Sequence, residues 1–551
     1  MIENYRGRKS NNILTPDKMS PIMHGLILSG VEYIKAGNPN ILELHQGETI
    51  PEIKRAPGAH RIATHLREEG WDIEVVDFIL GWTLDEFKEL CKSRITKNTV
   101  FLGISRMFPN PSRLNYFVEH VKETYPHVTI IAGSRNLVST ADLHGCVDYF
   151  VTGYGEYGLT ELLKKIMGKP AKCVIEEVTD EFGRVFHTVH SDKWNPAYPK
   201  KDLTIRYQDR DFIMPDEILS MELARGCIFK CKFCNFGVTG IKGDYTRSMS
   251  DLEFDLKNNY DKWGTTDYYL ADETINDTTE KLERVAGVVR KLPFQTSFSG
   301  FMRGDLVAGR PQDWPLISEI GLNGHFYGIE TFNNKAGRYV GKGMKTEILK
   351  QGLIDAKKYF LKNNAWHRTT ISLIAGLPGE TEESFWDGIN WLDTQYNLGF
   401  PTCISANHLW VSAQRSALRT SYSQFEETWQ DGDVFNDLTL DEVLRRYPDI
   451  DQESDSWKNY SKLNYTGVRW DHSTMDSWTA IDIISKLRQN LTSHNIAQSI
   501  GCWHDHDYVT TGIFSQSELM QRMEGLYSKS SLLVDSWHQF IADYKHKKLS
   551  I

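Results

Sequence analysis

The sequence lacks long apolar runs, an excess of basic residues and the cysteine density of a disulfide-rich protein. None of its stretches has the roughly 20 apolar residues of a membrane span, and its first residues lack the apolar core of a signal peptide. Its 63 Lys and Arg are outnumbered by 73 Asp and Glu, which argues against a chain whose main task is to follow nucleic-acid phosphates. We therefore expect a cytoplasmic protein with no membrane partner and no default binding of nucleic acid.

The remaining composition is that of an ordinary globular protein. Apolar residues make up 40% of the chain and charged residues 25%, which excludes disordered, collagen-like and coiled-coil proteins. A length of 551 residues is too great for one core and predicts two to four domains. Eight cysteines are too few for a disulfide scaffold, so the pattern favours a reducing compartment.

Residues 21–168 alternate short apolar runs with amphipathic segments. The runs 100–105 and 128–133 are typical of buried strands, and segments such as 113–124 are typical of the helices between them. This alternation predicts an α/β domain with a parallel, doubly wound, Rossmann-like sheet. Ligands of such sheets bind beyond the carboxyl ends of the strands, although tight strand-to-helix turns need similar residues. The candidate ligand-binding positions are Ser105, Gly133, Ser134, Gly153, Gly155 and Glu156.

A second alternation of strands and helices follows a proline-containing boundary. Two β-rich runs flank residues 180–183 as in a hairpin, and the mixed segment 195–215 contains three prolines. Residues 216–425 then hold six strand-helix units, which predicts a partial (β/α)6 barrel with its site at the carboxyl ends of the strands. Beyond this barrel we expect a mainly helical region that covers one end of it. The predicted domains are residues 1–195, 196–425 and 426–551.

Three of the eight cysteines fall within eight consecutive residues, directly after the first predicted strand of the barrel. They are Cys227, Cys231 and Cys234. Thiolates suit zinc or iron–sulfur clusters. Structural zinc takes four ligands, and the absence of histidine from residue 191 to 324 means that a fourth would have to come from a distant segment. On a four-iron four-sulfur cluster, three thiolates would leave one iron without a protein ligand.

The spacing of these cysteines, with Phe233 just before the last one, resembles the signature of the radical S-adenosylmethionine (SAM) superfamily. Arg303 and the segments 245–248, 269–273, 328–331 and 376–381 are similar to further landmarks of that family. The resemblance implies a 4Fe-4S cluster on the three cysteines, whose open iron binds SAM and whose electron cleaves it to a 5′-deoxyadenosyl radical. It also implies an electron donor such as flavodoxin or ferredoxin.

The charges of SAM suggest which residues near the predicted rim would bind it. SAM carries an ammonium, a carboxylate and a ribose diol, so Asp272 or Glu273 is expected to hold the ammonium and Arg303 the carboxylate. Glu330 is expected to meet the ribose hydroxyls or the ammonium, and Phe233 completes the predicted SAM-binding set. No catalytic residue is assigned.

A doubly wound domain ahead of the cysteine-bearing barrel is similar to the cobalamin-binding class of radical SAM enzymes, over residues 20–420. The resemblance implies cobalamin at the strand ends named above and methyl transfer to an unactivated carbon. The motif Asp-x-His-x-x-Gly, which supplies a cobalt ligand in many cobalamin proteins, is absent, because the nearest segment, 43–47, has the wrong spacing. His45 and His60 are therefore expected to be surface or turn residues rather than cobalt ligands.

Other functions remain open at this point. One is a radical SAM enzyme without cobalamin, catalysing a rearrangement, an oxidation or a methylthiolation, and another is a non-catalytic iron–sulfur or zinc protein. Cys91 lies in a helical pattern and is expected in the core. Cys502, His504 and His506 alternate as on one face of a strand and have the chemistry of metal ligands.

Overall fold

A computed structural model describes most of both predicted sheets and part of the C-terminal region. The described residues are 24–30, 33–34, 50–51, 55–105, 111–134, 146–179, 185–190, 203–213, 217–234, 243, 245–363, 367–396, 403–409, 436–461, 469–490, 497–498, 539 and 541–550. None of the helices within these ranges combines the length and the apolarity that a bilayer crossing requires.

The N-terminal part is built on a seven-stranded sheet. Its strands are β1 (Gly25–Leu28), β2 (Ile73–Val76), β3 (Phe101–Ser105), β4 (Thr129–Ser134), β5 (Tyr149–Thr152), β6 (Ile175–Thr179) and β7 (Val185–His190). They lie in the order β2-β1-β3-β4-β5-β7-β6, and every neighbouring pair is parallel except the hairpin β6–β7. The first five follow the flavodoxin-like doubly wound order. Both the doubly wound sheet and the hairpin are therefore confirmed.

Helices cover both faces of this sheet. They are α1 (Pro57–Glu68), α2 (Leu84–Arg94), α3 (Pro111–Thr124) and α4 (Gly155–Ile166). Along β1, Leu26 packs with α2 and α3 on one face, whereas Ile27 packs with α1 and α4 on the other. Since both faces are buried, the strands carry continuous apolar runs instead of alternating ones. Cys91 of α2 is completely buried, as predicted, and burial raises the pKa of its thiol to about 12.

The second sheet is an open, parallel one. Its strands are β8 (Leu219–Met221), β9 (Asp267–Leu270), β10 (Ser297–Arg303), β11 (Leu322–Glu330), β12 (Arg368–Ala375), β13 (Cys403–His408) and β14 (Ala497–Gln498). Neighbours in space are neighbours in this series, and all pairs are parallel. The six predicted strands are confirmed, and β14 adds a seventh. The sheet is thus a partial barrel whose carboxyl ends form one rim.

Helices surround the outside of this barrel. They are α5 (Met249–Trp263), α6 (Thr279–Val289), α7 (Gly304–Gly309), α8 (Trp314–Ile320), α9 (Asn334–Tyr339), α10 (Thr346–Asn363) and α11 (Glu382–Trp391), which a π-helical turn (Leu392–Tyr396) continues. Short elements complete the description. They are the strand pairs Tyr33–Ile34 with Ile50–Pro51 and Ala224–Arg225 with Tyr245–Thr246, and the 3₁₀ turns Ile79–Gly81, Asp209–Asp211 and Pro311–Asp313.

The C-terminal region docks in two places. The helices α12 (Leu440–Arg446), α13 (Asp455–Ser461) and α14 (Ser477–Asn490) accompany a small sheet of Asn436–Asp437, Trp470–His472 and Met475–Asp476. Within it, His472 Nε2 donates to the carbonyl of Gly376 at 2.9 Å, so this part contacts the carboxyl end of β12. The position of the helix at 541–549, α15, differs from the expectation that the C-terminal region covers one end of the barrel. Its Ile541 and Tyr544 belong to the core of the N-terminal domain, not to the end of the barrel.

A buried ionic cluster joins the N-terminal domain to the following segment and to α15. Arg55, fully buried, donates to Asp77 at 2.6 Å and to Glu217 at 2.5 Å. His60 contacts Asp77 at 3.0 Å and is fully buried in α1, so the expectation of a surface or turn residue is wrong. Burial alone would raise the pKa of Asp77, but His60 and Arg55 bring it down to about 2. Lys548 of α15 adds a contact of 2.8 Å with Glu74.

Candidate active site

The three clustered cysteines lie on a loop at the carboxyl end of the first barrel strand. We call residues 226–234 the cysteine loop. Its cysteines, all half-buried, are Cys227, Cys231 and Cys234. Gly226 opens the loop with a φ of 101°, a backbone conformation that favours glycine. The amide of Lys232 donates to the carbonyl of Val340 at 3.2 Å, so the loop is tied to the segment after α9.

Asp272 holds the strand that leads into the cysteine loop. Its two carboxylate oxygens accept hydrogen bonds from the backbone amides of Leu223 and Ala224, at 2.9 and 2.7 Å. The side chain is 1% exposed, and burial raises the pKa of Asp272 to about 8 against the opposing charge of Lys281. Asp272 is therefore committed to the backbone before the cysteines, whereas Glu273 lines the cleft between the two sheets.

Two residues at the ends of neighbouring strands approach the cysteine sulfurs. Arg303, the last residue of β10, donates from Nη1 to Cys231 Sγ at 3.3 Å. Thr274, just after β9, has its hydroxyl 3.8 Å from Cys227 Sγ. Within the described ranges no three Cys, His, Asp or Glu side chains converge on the position of a single ion. A four-iron cluster instead bonds each thiolate to a different iron, so soft donors spread along one loop have suitable chemistry for it.

Glu330 is aimed at the rim by an irregularity at the end of β11. The pairing of β11 with β12 shifts between Gly328 and Glu330, and Glu330 has a φ of 70°. Its carboxylate lies 3.4 Å from Lys342 Nζ and accepts a hydrogen bond from Ser372 at 3.3 Å. Burial raises the pKa of Glu330, and the Lys342 ammonium opposes this in part. A carboxylate with one nearby cation and one hydroxyl is thus held at the rim.

Glu380 is a second buried carboxyl group near this rim. It follows β12, and its Oε1 accepts a hydrogen bond from the Thr331 hydroxyl at 2.5 Å. Its Oε2 is buried and has no hydrogen-bond partner among the described residues. Burial raises the pKa of Glu380 to about 8, so the group holds a proton at neutral pH.

A cleft of about 270 Å³ separates the carboxyl ends of the two sheets. Five of the six predicted ligand-binding positions line it, namely Ser105, Gly133, Gly153, Gly155 and Glu156. The sixth, Ser134, ends β4. From the barrel side the lining includes Glu222, Arg225 and Glu273. The strand ends of the N-terminal domain therefore face the residues that flank the cysteine loop.

Charged side chains that we did not predict cross this cleft. Arg225 Nη2 donates to Glu156 at 2.6 Å and its Nε to Glu222 at 2.7 Å, and its guanidinium lies 4.6 Å from the ring of Tyr154. Arg61 approaches Glu156 at 3.4 Å. Burial alone would raise the pKa of Glu156, but the charges of Arg225 and Arg61 lower it. The sequence signal for Arg225 was its position two residues before Cys227, at a strand end.

The family model of the radical SAM superfamily matches residues 221–392, which include the cysteine loop and strands β9 to β12. Because this segment matches that family, we call residues 221–392 the radical SAM domain. The radical SAM domain thus begins at β8, and its shared rim carries the cysteines, Arg303 and Glu330.

The chain is also similar to individual proteins. The hopanoid C-3 methylase of Methylococcus capsulatus is 20% identical over 282 residues, which are 50% of this chain and 53% of the methylase. The match therefore spans about half the length of that curated relative. The cobalamin-dependent radical SAM enzyme OxsB with aqua-cobalamin bound aligns with a TM-score of 0.54 and 15% identity, over 85% of this chain and 67% of OxsB. The radical SAM methyltransferase TsrM from Kitasatospora setae aligns with a TM-score of 0.49 and 14% identity, over 76% of this chain and 78% of TsrM.

The structural similarity to OxsB concerns the fold. It covers the doubly wound domain and the radical SAM domain together, in the order that the sequence predicted. The roles of individual residues in cluster, SAM and cobalamin binding stay predictions. The alternating set of Cys502, His504 and His506, and His45, lie outside the described residues.

Proposed function

We propose that this chain is a cobalamin-dependent radical SAM methyltransferase that acts on an unactivated carbon. Cys227, Cys231 and Cys234 would hold a 4Fe-4S cluster, and a cobalamin would lie in the cleft between the sheets. When bound, the cluster supplies the electron that cleaves SAM to methionine and a 5′-deoxyadenosyl radical, and the cobalamin supplies a methyl group. The electron itself must come from a donor, and flavodoxin or ferredoxin are the proposed classes.

The cleft is the observation that carries the cobalamin part of the proposal. Residues of both sheets line it, so a ligand on the N-terminal strand ends would face the flank of the cysteine loop. A Cβ added at Gly133 would meet only a carbonyl oxygen 3.9 Å away, so the backbone at the end of β4 is open to the cleft. Gly153 has a φ of 82°, which favours glycine. Glycine backbone at these strand ends, next to apolar lining residues such as Phe101 and Ile131, supports close approach by a flat ligand.

The chain's own residues would bind, orient and shield. Glu273 and Glu330 remain the acidic candidates for the SAM ammonium and ribose, and Phe233 packs against the core of the barrel. Asp272, whose carboxyl group accepts from two backbone amides, would support the backbone before the cysteines. The ion pair of Arg225 and Glu156 would hold the two domains in a fixed relative position at the cleft. The names of OxsB and of the hopanoid methylase support cobalamin dependence and methyl transfer as the reaction class.

Anaerobic reconstitution with iron and sulfide, followed by SAM and dithionite, tests the radical step. We expect 5′-deoxyadenosine in the product mixture. An intact cluster that yields none would contradict the radical SAM function.

Cobalamin binding is tested by absorbance after purification from a cobalamin-fed host and by calorimetry. Gly133→Phe should abolish binding, because the new side chain would fill the cleft. Gly287→Phe on α6 is the matched control, since a Cβ there meets nothing within 4 Å and the residue does not line the cleft. A wild-type protein that binds cluster but no cobalamin would favour the radical SAM enzyme without cobalamin. Wild-type affinity for cobalamin in Gly133→Phe would show that the cleft is not the site.

A further inference from the structure

Arg303 is enclosed by one carboxylate, one aromatic ring and one cysteine sulfur. Its Nε and Nη2 donate to Asp305 at 2.9 and 2.5 Å, and its Nη1 donates to Cys231 Sγ at 3.3 Å. The guanidinium carbon lies 3.9 Å from the centre of the Phe229 ring. Arg303 is 7% exposed, so its charge is close to the sulfur and little screened by water.

The backbone of Arg303 is fixed as firmly as its side chain. Its amide donates to Asn276 Oδ1 at 2.8 Å, and its carbonyl accepts from Asn276 Nδ2 at 3.1 Å. The Nε–Nη2 edge of the guanidinium is occupied by Asp305, so a SAM carboxylate could not pair with Arg303 through that edge. Of the remaining donors, one on Nη1 is directed at Cys231. This arrangement differs from the SAM-carboxylate role that the charge of Arg303 predicted.

We propose that Arg303 is a positioning residue for the iron–sulfur cluster, which orients the Cys231 thiolate and raises the reduction potential of the cluster. The inference rests on the proposed function only in that the three cysteines must bind the cluster. Reduction adds one electron from a one-electron donor, breaks no bond and makes the cluster more negative by one charge. A nearby cation and an N–H···S hydrogen bond stabilise that reduced form more than the oxidised form.

A redox titration of the reconstituted protein without SAM tests this inference. Dithionite poises the potential, and electron paramagnetic resonance measures the reduced fraction. Arg303→Met removes the charge and the donor, so we expect at least a tenfold lower ratio of reduced to oxidised cluster at the same potential. For a one-electron couple this is a shift of about 59 mV to more negative potential. Arg303→Lys keeps the charge but not the planar donor group. Its reduction potential should therefore shift in the same direction as that of Arg303→Met, but by less.

Arg290→Met is the matched control. Arg290 makes a similar two-bond pair with Glu319, at 2.6 Å each, on the outside of the same domain. Its loss removes one positive charge far from the cysteine loop and should leave the potential unchanged. Only samples with four irons per chain and wild-type circular dichroism are compared. If Arg303→Met does not hold the cluster, Arg303→Gln replaces it as the uncharged variant.

An unchanged potential in the uncharged variant overturns the assignment. A shift of the potential that appears only when SAM is present also overturns it. That result would instead support the earlier prediction that Arg303 binds the carboxylate of SAM. These outcomes are separate from a failure of the proposed function, in which the wild-type protein itself binds no cluster or yields no 5′-deoxyadenosine.

Discussion

Arg225 of the radical SAM domain donates to Glu156 of the N-terminal domain at 2.6 Å, and both residues are only 3% exposed. Both residues line the cleft, and Arg225 lies two residues before Cys227, the first cysteine of the cysteine loop. The pair therefore joins the predicted cobalamin side of the molecule to the backbone that carries the cluster ligands.

Glu156→Gln should destabilise the protein. The substitution leaves two buried guanidinium groups, Arg225 and Arg61, without a carboxylate that both now approach. Removing one partner of a buried pair typically costs about 3–5 kcal/mol, which urea unfolding would measure. Adding Arg225→Gln should cost less than the sum of the two single changes, because the residues are in contact.

The control lies on the same helix. Glu161 pairs with Lys164 at 2.6 Å near the surface, so Glu161→Gln should cost less than about 1 kcal/mol. Equal effects of the two glutamate changes would contradict a special role for the Glu156 pair.

Serine at Cys227, Cys231 or Cys234 should abolish binding of iron without unfolding the chain. The cysteine loop is held by the barrel through Asp272 and Val340, and these contacts do not need the sulfurs. Iron per chain after reconstitution and far-ultraviolet circular dichroism measure the two properties. Cys173→Ser, at a half-buried cysteine of the N-terminal part, should keep full iron content. Unfolding of the cysteine-loop variants would instead indicate a structural metal.

Lys548→Met should strongly destabilise the N-terminal domain. The ammonium of Lys548 contacts Glu74 and the carbonyls of Val75 and Arg210, each at 2.8 Å, and the side chain is fully buried. Methionine preserves the volume but leaves these acceptors without their donor, at a cost of about 3–5 kcal/mol. Thermal unfolding measures the loss, and exposed Lys547→Met provides the control. Similar melting temperatures of the two variants would contradict the prediction.

Glu380 should make stability depend on pH. Its folded pKa of about 8 is raised from 4.5 by burial, so the folded state binds the proton more tightly than the unfolded state. The stability contributed by this proton is complete below pH 4.5 and is lost as pH rises to about 8. The slope is at most about 1.4 kcal/mol per pH unit for one group.

Glu380→Gln should flatten this dependence, because the amide carries no ionisable proton. Thermal unfolding of both proteins from pH 5 to pH 9 would show the wild type losing stability relative to the variant as pH rises. Parallel curves would mean that Glu380 is ionised throughout.

Local patterns predicted the two sheets well because each strand is an apolar run followed by a helix. The roles of adjacent acidic residues were harder to predict. The sequence does not reveal that Asp272 turns towards backbone amides while Glu273 lines the cleft. That choice depends on where β8 lies beside β9, which is a long-range relationship. The docking of α15 was missed for the same reason, since no local signal connects Tyr544 with Asp77.

The position of α15 has a consequence for the order of folding. Domains commonly fold in the order of their synthesis, the first one while the rest is still being made. Here the part of the N-terminal core that receives Ile541 and Tyr544 stays uncovered until the whole radical SAM domain has been translated. The N-terminal domain is therefore synthesised before the radical SAM domain but completed after it, and during that interval it exposes apolar residues to chaperones and to neighbouring chains.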